Sequence, residues 1–502
     1  MRATVAVLVA LSAAGCSDNA SMSAVTDAGA ADTAMDTTLL SGRRVASGEY
    51  TLLAYDGSNV ALLADPSGNV SAISLATAGD KPHAIVDNTG TASLGGSVVI
   101  AFTTTRSGSG DLLVWAAGGA LWDTQKNVLR NSVFVTEGGA WVVFAEQTAG
   151  NTATLWVARP DGSSLKALAT GLSLADGCSP APRAAAGKIV VGQCTTATEI
   201  PDGGAGDGGA GPVPKGTLGA ISAYDPVSGA AQLIANGVVP DNIGYAEHEG
   251  ILFLQSSYDL TISSYFNLAG GGAPRQLDSD PPQHSILGGN NQLFYITAAQ
   301  ALRVANIKTP GAPITLATNA VNFPAEAESA LSPDGTRILY SQTFASKNQL
   351  DDLYSVATAG GSAATPLVTT ATTRSFGSAF TTDGTRALYI TGATPQGVGV
   401  LHAMPVAGGA DAIVDKAVWQ EQRLGGTSIA YNNHYQMVGG SNPVMNGRAD
   451  IYTVDVASNG APRLIATQAQ PTFFVSAARA EIVYTYLADS ANAGVYIAPA
   501  SP

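Results

Sequence analysis

Charge is scarce in this chain. Asp, Glu, Lys and Arg make up 12% of 502 residues, about half the usual share, so Gly, Ala, Ser, Thr and Asn must cover much of the surface. Basic residues are scarcer still: 24 Lys and Arg against 38 Asp and Glu leave a formal net charge of −14. That balance lacks the basic footprint that phosphate neutralisation needs, so nucleic acid is excluded as a partner. Acidity otherwise means solubility rather than a specific partner. Histidines number five, His83, His248, His284, His402 and His434, and none forms the H-E-x-x-H pair of a zinc site. No G-x-S-x-G nucleophile elbow occurs, and no cofactor motif is legible. Helical periodicity is nearly absent; the moderate candidate, Asp415 to Leu424, reads equally well as a loop. Beyond the N-terminus no apolar run reaches the ~18 residues of a membrane span.

The N-terminus itself is patterned. "MRATVAVLVALSAAGC" places Arg2 before an apolar run, then small residues, then Cys16. That is a secretory layout, with residues 1–15 as signal peptide. Ala13-Ala14-Gly15-Cys16 resembles a bacterial lipoprotein signal, which implies lipid attachment at Cys16. The departure is Ala13, where leucine is commoner; an ordinary secretory signal cut nearby is the other reading. Either way the expected location is the bacterial cell envelope, across the inner membrane. Residues 16–45, rich in Ala, Asp, Thr and Ser, read as a flexible tether.

Two further cysteines, Cys178 and Cys194, flank "SPAPRAAAGKIVVGQ". The stretch reads as strand, tight turn, strand, with its midpoint in "AAGK". A hairpin turning there sets the two cysteines opposite each other, and in an oxidising compartment a lone pair bridges. A redox-active pair normally has C-x-x-C spacing, which is missing here.

What the chain does have is a repeat. "LSPDGTRILY" (Leu331–Tyr340) returns as "FTTDGTRALY" (Phe380–Tyr389), with six of ten positions identical and the aspartates 49 residues apart. Ser332-Pro333-Asp334-Gly335 is turn chemistry: proline presets φ and glycine permits the positive φ that follows. A second half, "DLYSVATAGGSAATPLVT", follows from Asp352 and recurs as "LHAMPVAGGADAIV" and "DIYTVDVASNGAPRLIAT". Strand, turn, strand, turn and two more strands in about 50 residues describe a propeller blade. The second strand of the unit can be counted nine times, and "NVALLA" makes ten. The expected fold is therefore an all-β propeller of four-stranded blades over residues 46–502. About eight blades are expected, within a range of seven to ten, in one ring or two. A glycine-rich insert occupies 199–216. The last unit lacks its fourth strand, which "EYTLLAYDG" (Glu49–Gly57) could supply.

The DGTR turns and the "LYSVATAGG" half resemble the repeat of TolB-type β-propellers. The match is sharp in two blades. The resemblance implies fold. It implies less about function, because such propellers serve envelope scaffolds, peptidase gating domains and a few carbohydrate-acting enzymes.

Candidate chemistry is thin. Glu247, His248 and Glu249 read as a solvated turn. "GDGGAGDGGAG" lacks the nine-residue period of a Ca²⁺-binding repeat. Ser163 to Lys166 fits S-x-x-K but spans a strand turn. Trp115, Trp122, Trp141, Trp156 and Trp419 are expected in blade packing, with a sugar- or partner-binding surface as the alternative. Arg337 and Arg386 are expected to brace neighbouring blades. No catalytic, cofactor or metal residue is assigned. The reading is a non-catalytic envelope module that binds a protein or glycan partner; the alternative is a carbohydrate-active lyase or hydrolase with a central-channel site.

Overall fold

A computed structural model describes residues 40–500, apart from internal segments of which the longer are 175–181, 195–218, 256–261, 268–274 and 439–446. Cys16, Cys178, the signal peptide, the insert and Glu247–Glu249 lie outside the described residues. All named elements are antiparallel strands except two short 3₁₀ turns.

The strands form ten successive blade units. Blade 1 runs Thr51–Tyr55, Val60–Ala64, Val70–Ser74, His83–Val86; blade 2 ends with Trp122–Leu129 and blade 3 with Lys166–Ser173. Ala231–Ala246 is the outer strand of blade 4 and then the inner strand of blade 5. Arg463–Ser476 does the same for blades 9 and 10. In blades 7 and 8 the inner strand is partly reduced to single bridges, Leu331 to Ile338 and Phe380 to Ala387. Ten is the upper end of the expected range.

The apolar runs of the second strands have a simple cause. Where its side chains are described, each is buried on both faces, between two neighbours. In Arg386–Thr391, Ala387 and Tyr389 pack with Leu339 and Leu353 of blade 7. The alternate residues Leu388 and Ile390 pack with Ile429 and Tyr431 of blade 9. The same alternation holds for Val60–Ala64, whose Leu62 faces blade 2 and whose Leu63 faces blade 10.

That last contact closes a single ring. Val483, Val495 and Ile497 of blade 10 share a core with Leu52, Ala61 and Ile73 of blade 1. The missing fourth strand of blade 10 is Arg43–Ser47, paired with Gly494–Pro499. It is not Glu49–Gly57, whose Thr51–Tyr55 opens blade 1 instead. The folded body therefore starts before residue 46: Leu40 bridges Ala466, and Tyr484 donates its hydroxyl hydrogen bond to Ser41 O at 2.7 Å. Asp415–Leu424 is no helix; it spans the end of strand Ala412–Val418 and most of strand Glu421–Gly425.

The aromatic of the repeat is a cross-strand partner. Tyr340 stacks on Tyr354, Tyr431 on Tyr452 and Tyr484 on Tyr496, each pair directly opposite in register at 5.5–5.6 Å. Such pairs are a unit of sheet stabilisation. The glycines of the third-to-outer turns serve the ring as well. A Cβ on Gly162 would meet the Trp122 indole of blade 2 at 2.7 Å, and one on Gly360 would meet Ile314 of blade 6 at 2.9 Å. Each turn thus lies close over the outer strand of the preceding blade.

Candidate binding site

Where the turns are described, the antiparallel meander of a blade puts its first-to-second and third-to-outer turns on one face of the ring. We call this the turn face. The second-to-third loops and blade-to-blade crossings lie on the opposite face.

The repeated DGTR phrase builds the first-to-second turns. The Gly335 amide donates to Ser332 O at 2.8 Å, and the Arg337 amide donates to Ser332 Oγ at 2.9 Å. Asp334 accepts from Ser332 Oγ at 2.6 Å and from the Thr336 amide at 3.0 Å. Thr381, Asp383, Gly384 and Arg386 repeat this network. Partial burial raises both aspartate pKa values, but the hydrogen bonds outweigh it and hold both carboxyls below their ordinary value. The two arginines do not brace neighbouring blades. Arg337 donates to Ser355 Oγ at 3.1 Å and Arg386 to Ala403 O at 3.3 Å, each within its own blade. What joins the blades is the turns themselves. A Cβ on Gly384 would sit 3.4 Å from Ser332 and from Asp334, and the Asp383 amide donates to Gly426 O of blade 9 at 3.1 Å.

Blade 3 holds a third copy that the sequence reading missed. In Thr136-Glu137-Gly138-Gly139-Ala140-Trp141, the Gly139 amide donates to Thr136 O at 2.9 Å and the Trp141 amide to Thr136 Oγ1 at 3.0 Å. The surviving signal is a hydroxyl residue at the first position and glycine at the fourth. Trp141 takes the place of the arginine. Gly138 takes the place of Asp334 and Asp383, with nothing within 4 Å of its Cβ position. The neighbouring turn of blade 4 is only Ala186-Gly187, both at positive φ.

With the aspartate gone and the next turn cut to two residues, a cleft of ≈ 660 Å³ opens between blades 3 and 4, a size typical of ligand sites. Trp141 forms part of its wall, with the Arg159 guanidinium 3.9 Å over the indole. Glu137 lies exposed on one side. Lys188 pairs with Asp225 at 3.3 Å on the other. The Ser228 amide and then Lys188 hold the Asp225 carboxyl down to about 2.

An apolar arc borders the cleft. Consecutive third-to-outer turns carry Leu121 (41% exposed), Leu165 (39%) and Val227 (71%). Gly162 against Trp122 and the Lys166 ammonium on Val227 O join these turns. Of eight exposed large hydrophobic residues among those described, these three and Leu233 lie on blades 2–4. Met437 and Val438 lie on blade 9 beside the stacked pair Trp419 and Tyr435, on the opposite face.

The other candidates distribute as follows. Trp115 is 1% exposed and packs in the blade 1–blade 2 core. Trp156 donates to Glu146 Oε2 at 2.8 Å. Ser163 to Lys166 runs from a turn into the strand Lys166–Ser173. Cys194 ends a strand of the expected hairpin, which turns at Ala186-Gly187, and is disulfide-bonded. His83 lies 5.4 Å from Trp115, and His434 Nδ1 lies 3.0 Å from Asp450.

His402 stands out. It lies opposite Tyr389 at 5.0 Å, where blades 7, 9 and 10 have tyrosine. Its Nε2 is 2.7 Å from Thr391 Oγ1, and its Nδ1 is 2.6 Å from Asp411 Oδ2. Hydroxyl, imidazole and carboxylate in line is the outline of a nucleophile, a base and its orienting group. The stack accounts for the position without chemistry. Asp411 also accepts from Tyr389 OH at 3.1 Å, and aspartates take the equivalent tyrosines in blade 6 (Tyr295 to Asp278) and blade 9 (Tyr431 to Asp415).

No family model matches, and no curated relative does. Among solved structures, Porphyromonas gingivalis dipeptidyl peptidase 4 matches 82% of this chain at 10% identity and a TM-score of 0.43; this chain spans only 65% of it. The β-propeller domain of the Trilobed protease from Pyrococcus furiosus matches 68% of this chain and 97% of its own, at 11% identity and 0.30. A putative TolB from Agrobacterium tumefaciens matches 54% and 93%, at 12% and 0.24. At such identities and scores these likenesses carry no argument, and the β-propeller rests on the strand order and pairing described above.

Proposed function

We propose that this protein is an envelope lipoprotein, held by a lipid on Cys16, whose propeller is a non-catalytic module that binds a protein or glycan partner. One observation carries the binding reading: on an acidic, charge-poor protein, exposed apolar side chains from three consecutive blades line up on one face beside an open cleft. Contiguous exposed apolar surface is the usual mark of an interaction site. The N-terminal pattern supports the anchor. Among the described residues no helix is long and apolar enough to cross a membrane.

Two measurements test this. Metabolic labelling with a fatty-acid analogue should mark the wild type and not Cys16→Ser; equal label on both rejects the anchor. Chemical crosslinking in intact envelopes should give a discrete adduct above the mature monomer, which is the 50.6 kDa chain less its signal peptide. Monomer alone, with no retention on immobilised envelope glycan, rejects the binding module.

A further inference from the structure

We infer that blade 9 rests on the bilayer that holds the Cys16 lipid, through Trp419, Tyr435, Met437 and Val438 on the opposite face of the ring. The inference rests on the lipid-anchor reading and adds the surface of the folded body that meets the membrane. It leaves the turn face of blades 2–4 directed away from the bilayer.

The course of the chain points this way. The Ser41 amide donates to Ile465 O at 3.0 Å, and Leu40 bridges Ala466 antiparallel. The step from Ser41 to Leu40 therefore runs along the outer strand of blade 9 toward Ala469. Ala469 pairs with Ala449, close to where Gly447 pairs with Met437. So toward its N-terminus the chain heads for the opposite face at blade 9, the end that carries Met437 and Val438. Three strand spacings across and four residues along put Met437 about 20 Å from Leu40. The segment from Cys16 to Leu39 has 24 residues, and a coil of that length spans about 25–30 Å. A lipid on Cys16 thus keeps the bilayer within reach of this end of the ring.

The chemistry of the patch suits a bilayer. Met437 and Val438 are 41% and 57% exposed. Trp419 and Tyr435 stack beside them at 5.8 Å, and Tyr435 donates its hydroxyl hydrogen bond to Met437 Sδ at 2.8 Å. Half-buried Trp and Tyr with exposed aliphatic neighbours make an interfacial composition, apolar on one side and wet on the other. The patch has a firm base. Buried Asn432 accepts from the Trp419 and Gln420 amides at 3.2 and 2.9 Å and donates to Pro471 O at 2.6 Å. It thereby ties the crossings on either side of blade 9. From Tyr435 to Gly447 the sequence has no charged residue. The charges around the patch balance, with Lys416 and Arg448 against Asp415 and Asp450. Both of these carboxylates are occupied: Asp415 accepts from Tyr431 OH at 2.8 Å, and Asp450 from the Gln468 amide at 2.9 Å, with His434 Nδ1 at 3.0 Å. Glu421 nearby is buried. On a protein of net charge −14, this end therefore offers lipid phosphates little repulsion.

The test places the full chain, purified from envelopes, in vesicles of phosphatidylethanolamine and phosphatidylglycerol with plain or brominated acyl chains. Tryptophan emission is the readout. Brominated lipid should remove on the order of a fifth of it, the share of one tryptophan in five. Trp419→Phe should abolish that loss, and Trp141→Phe, on the turn face, should keep it. Met437→Asp combined with Val438→Asp, both at exposed positions, should cut the loss at least twofold while Trp419 remains. The contact is rejected if the wild type shows no loss, if Trp419→Phe keeps it, or if the two aspartates leave it unchanged. A discrete protein adduct from a photo-crosslinking residue at Val438 also rejects it, since the patch then belongs to a protein. Mass spectrometry of the N-terminal peptide separates the two readings. Lipid on Cys16 without quenching removes the contact and leaves the anchor; a Cys16 without lipid removes both.

Discussion

Replacing His402 separates a structural stack from a catalytic relay. His402 is 9% exposed and stacks on Tyr389 at 4°. His402→Ala removes the stack, about 0.5–1.5 kcal/mol, and leaves a cavity in a packed sheet, about 2–4 kcal/mol. It also strips Thr391 and Asp411 of a ring bonded at both nitrogens. We expect a loss of about 3–5 kcal/mol. His402→Tyr restores the residue type of Tyr354, Tyr452 and Tyr496 and keeps the stack, its longer ring reaching toward the partly exposed Asp411. It forfeits the hydrogen bond to Asp411, about 1.5–3 kcal/mol for a charged partner. That figure shrinks here, because the Asp411 side chain is 37% exposed and keeps the Tyr389 hydroxyl. We expect about 1 kcal/mol. Urea unfolding followed by circular dichroism reads both variants. If His402→Tyr costs as much as His402→Ala, the imidazole bonds rather than the stack hold this position. The Thr391–His402–Asp411 line would then regain standing as a functional site.

Further expectations follow from the ring and its turns. Truncation up to residue 39 should leave the melting temperature unchanged, whereas truncation through Ser47 should lower it by several degrees. The second truncation bares the Gly494–Pro499 edge and should cause association, seen by size-exclusion chromatography. Asp334 and Asp383 have depressed carboxyl pKa values. Their contribution is therefore present above about pH 4, the unfolded carboxyl value, and is lost as pH falls through the lower folded values. The urea midpoint should fall below about pH 4, and less steeply in Asp383→Asn. Burial raises the phenols of Tyr340, Tyr389, Tyr431 and Tyr484. Stability should then hold up to about pH 10 and fall above it as the unfolded chain ionises first. Absorbance at 295 nm should show these phenols ionising only with loss of the strand signal; ionisation near pH 10 in an intact fold would refute their burial. Non-reducing peptide mapping should find Cys178 joined to Cys194, and separate free thiols would reject that pairing.

Much of the architecture was legible because the repeat is local chemistry. Proline, aspartate and glycine force the turns, and Tyr340 and Tyr389 mark one strand wherever the phrase survives. The number of blades was harder to read, because the phrase decays under substitution that the turn tolerates. Thr136 to Trp141 keeps the two hydrogen bonds to the first residue of the turn while sharing almost none of the residues of Ser332 to Arg337. The closing strand was misplaced for a related reason. Arg43–Ser47 is short and only partly apolar, whereas Thr51–Tyr55 reads as the better strand; the difference between them is tertiary, set by the core that Val495 and Ile497 share with Leu52. The cleft was not legible at all. It arises from a missing carboxylate at Gly138 beside a two-residue turn, a relation between blades that no single stretch of sequence displays.

The central claim is that the turn face of blades 2–4 meets the partner. A photo-crosslinking residue placed singly at Val227, Ile413 and Val438 tests it most directly in intact envelopes. These sites sample the arc, the rim of blade 8 and the opposite face, at 71%, 58% and 57% exposure. The account predicts a discrete adduct from Val227 and none from the other two. An adduct from Val438 or Ile413 with none from Val227 would contradict it.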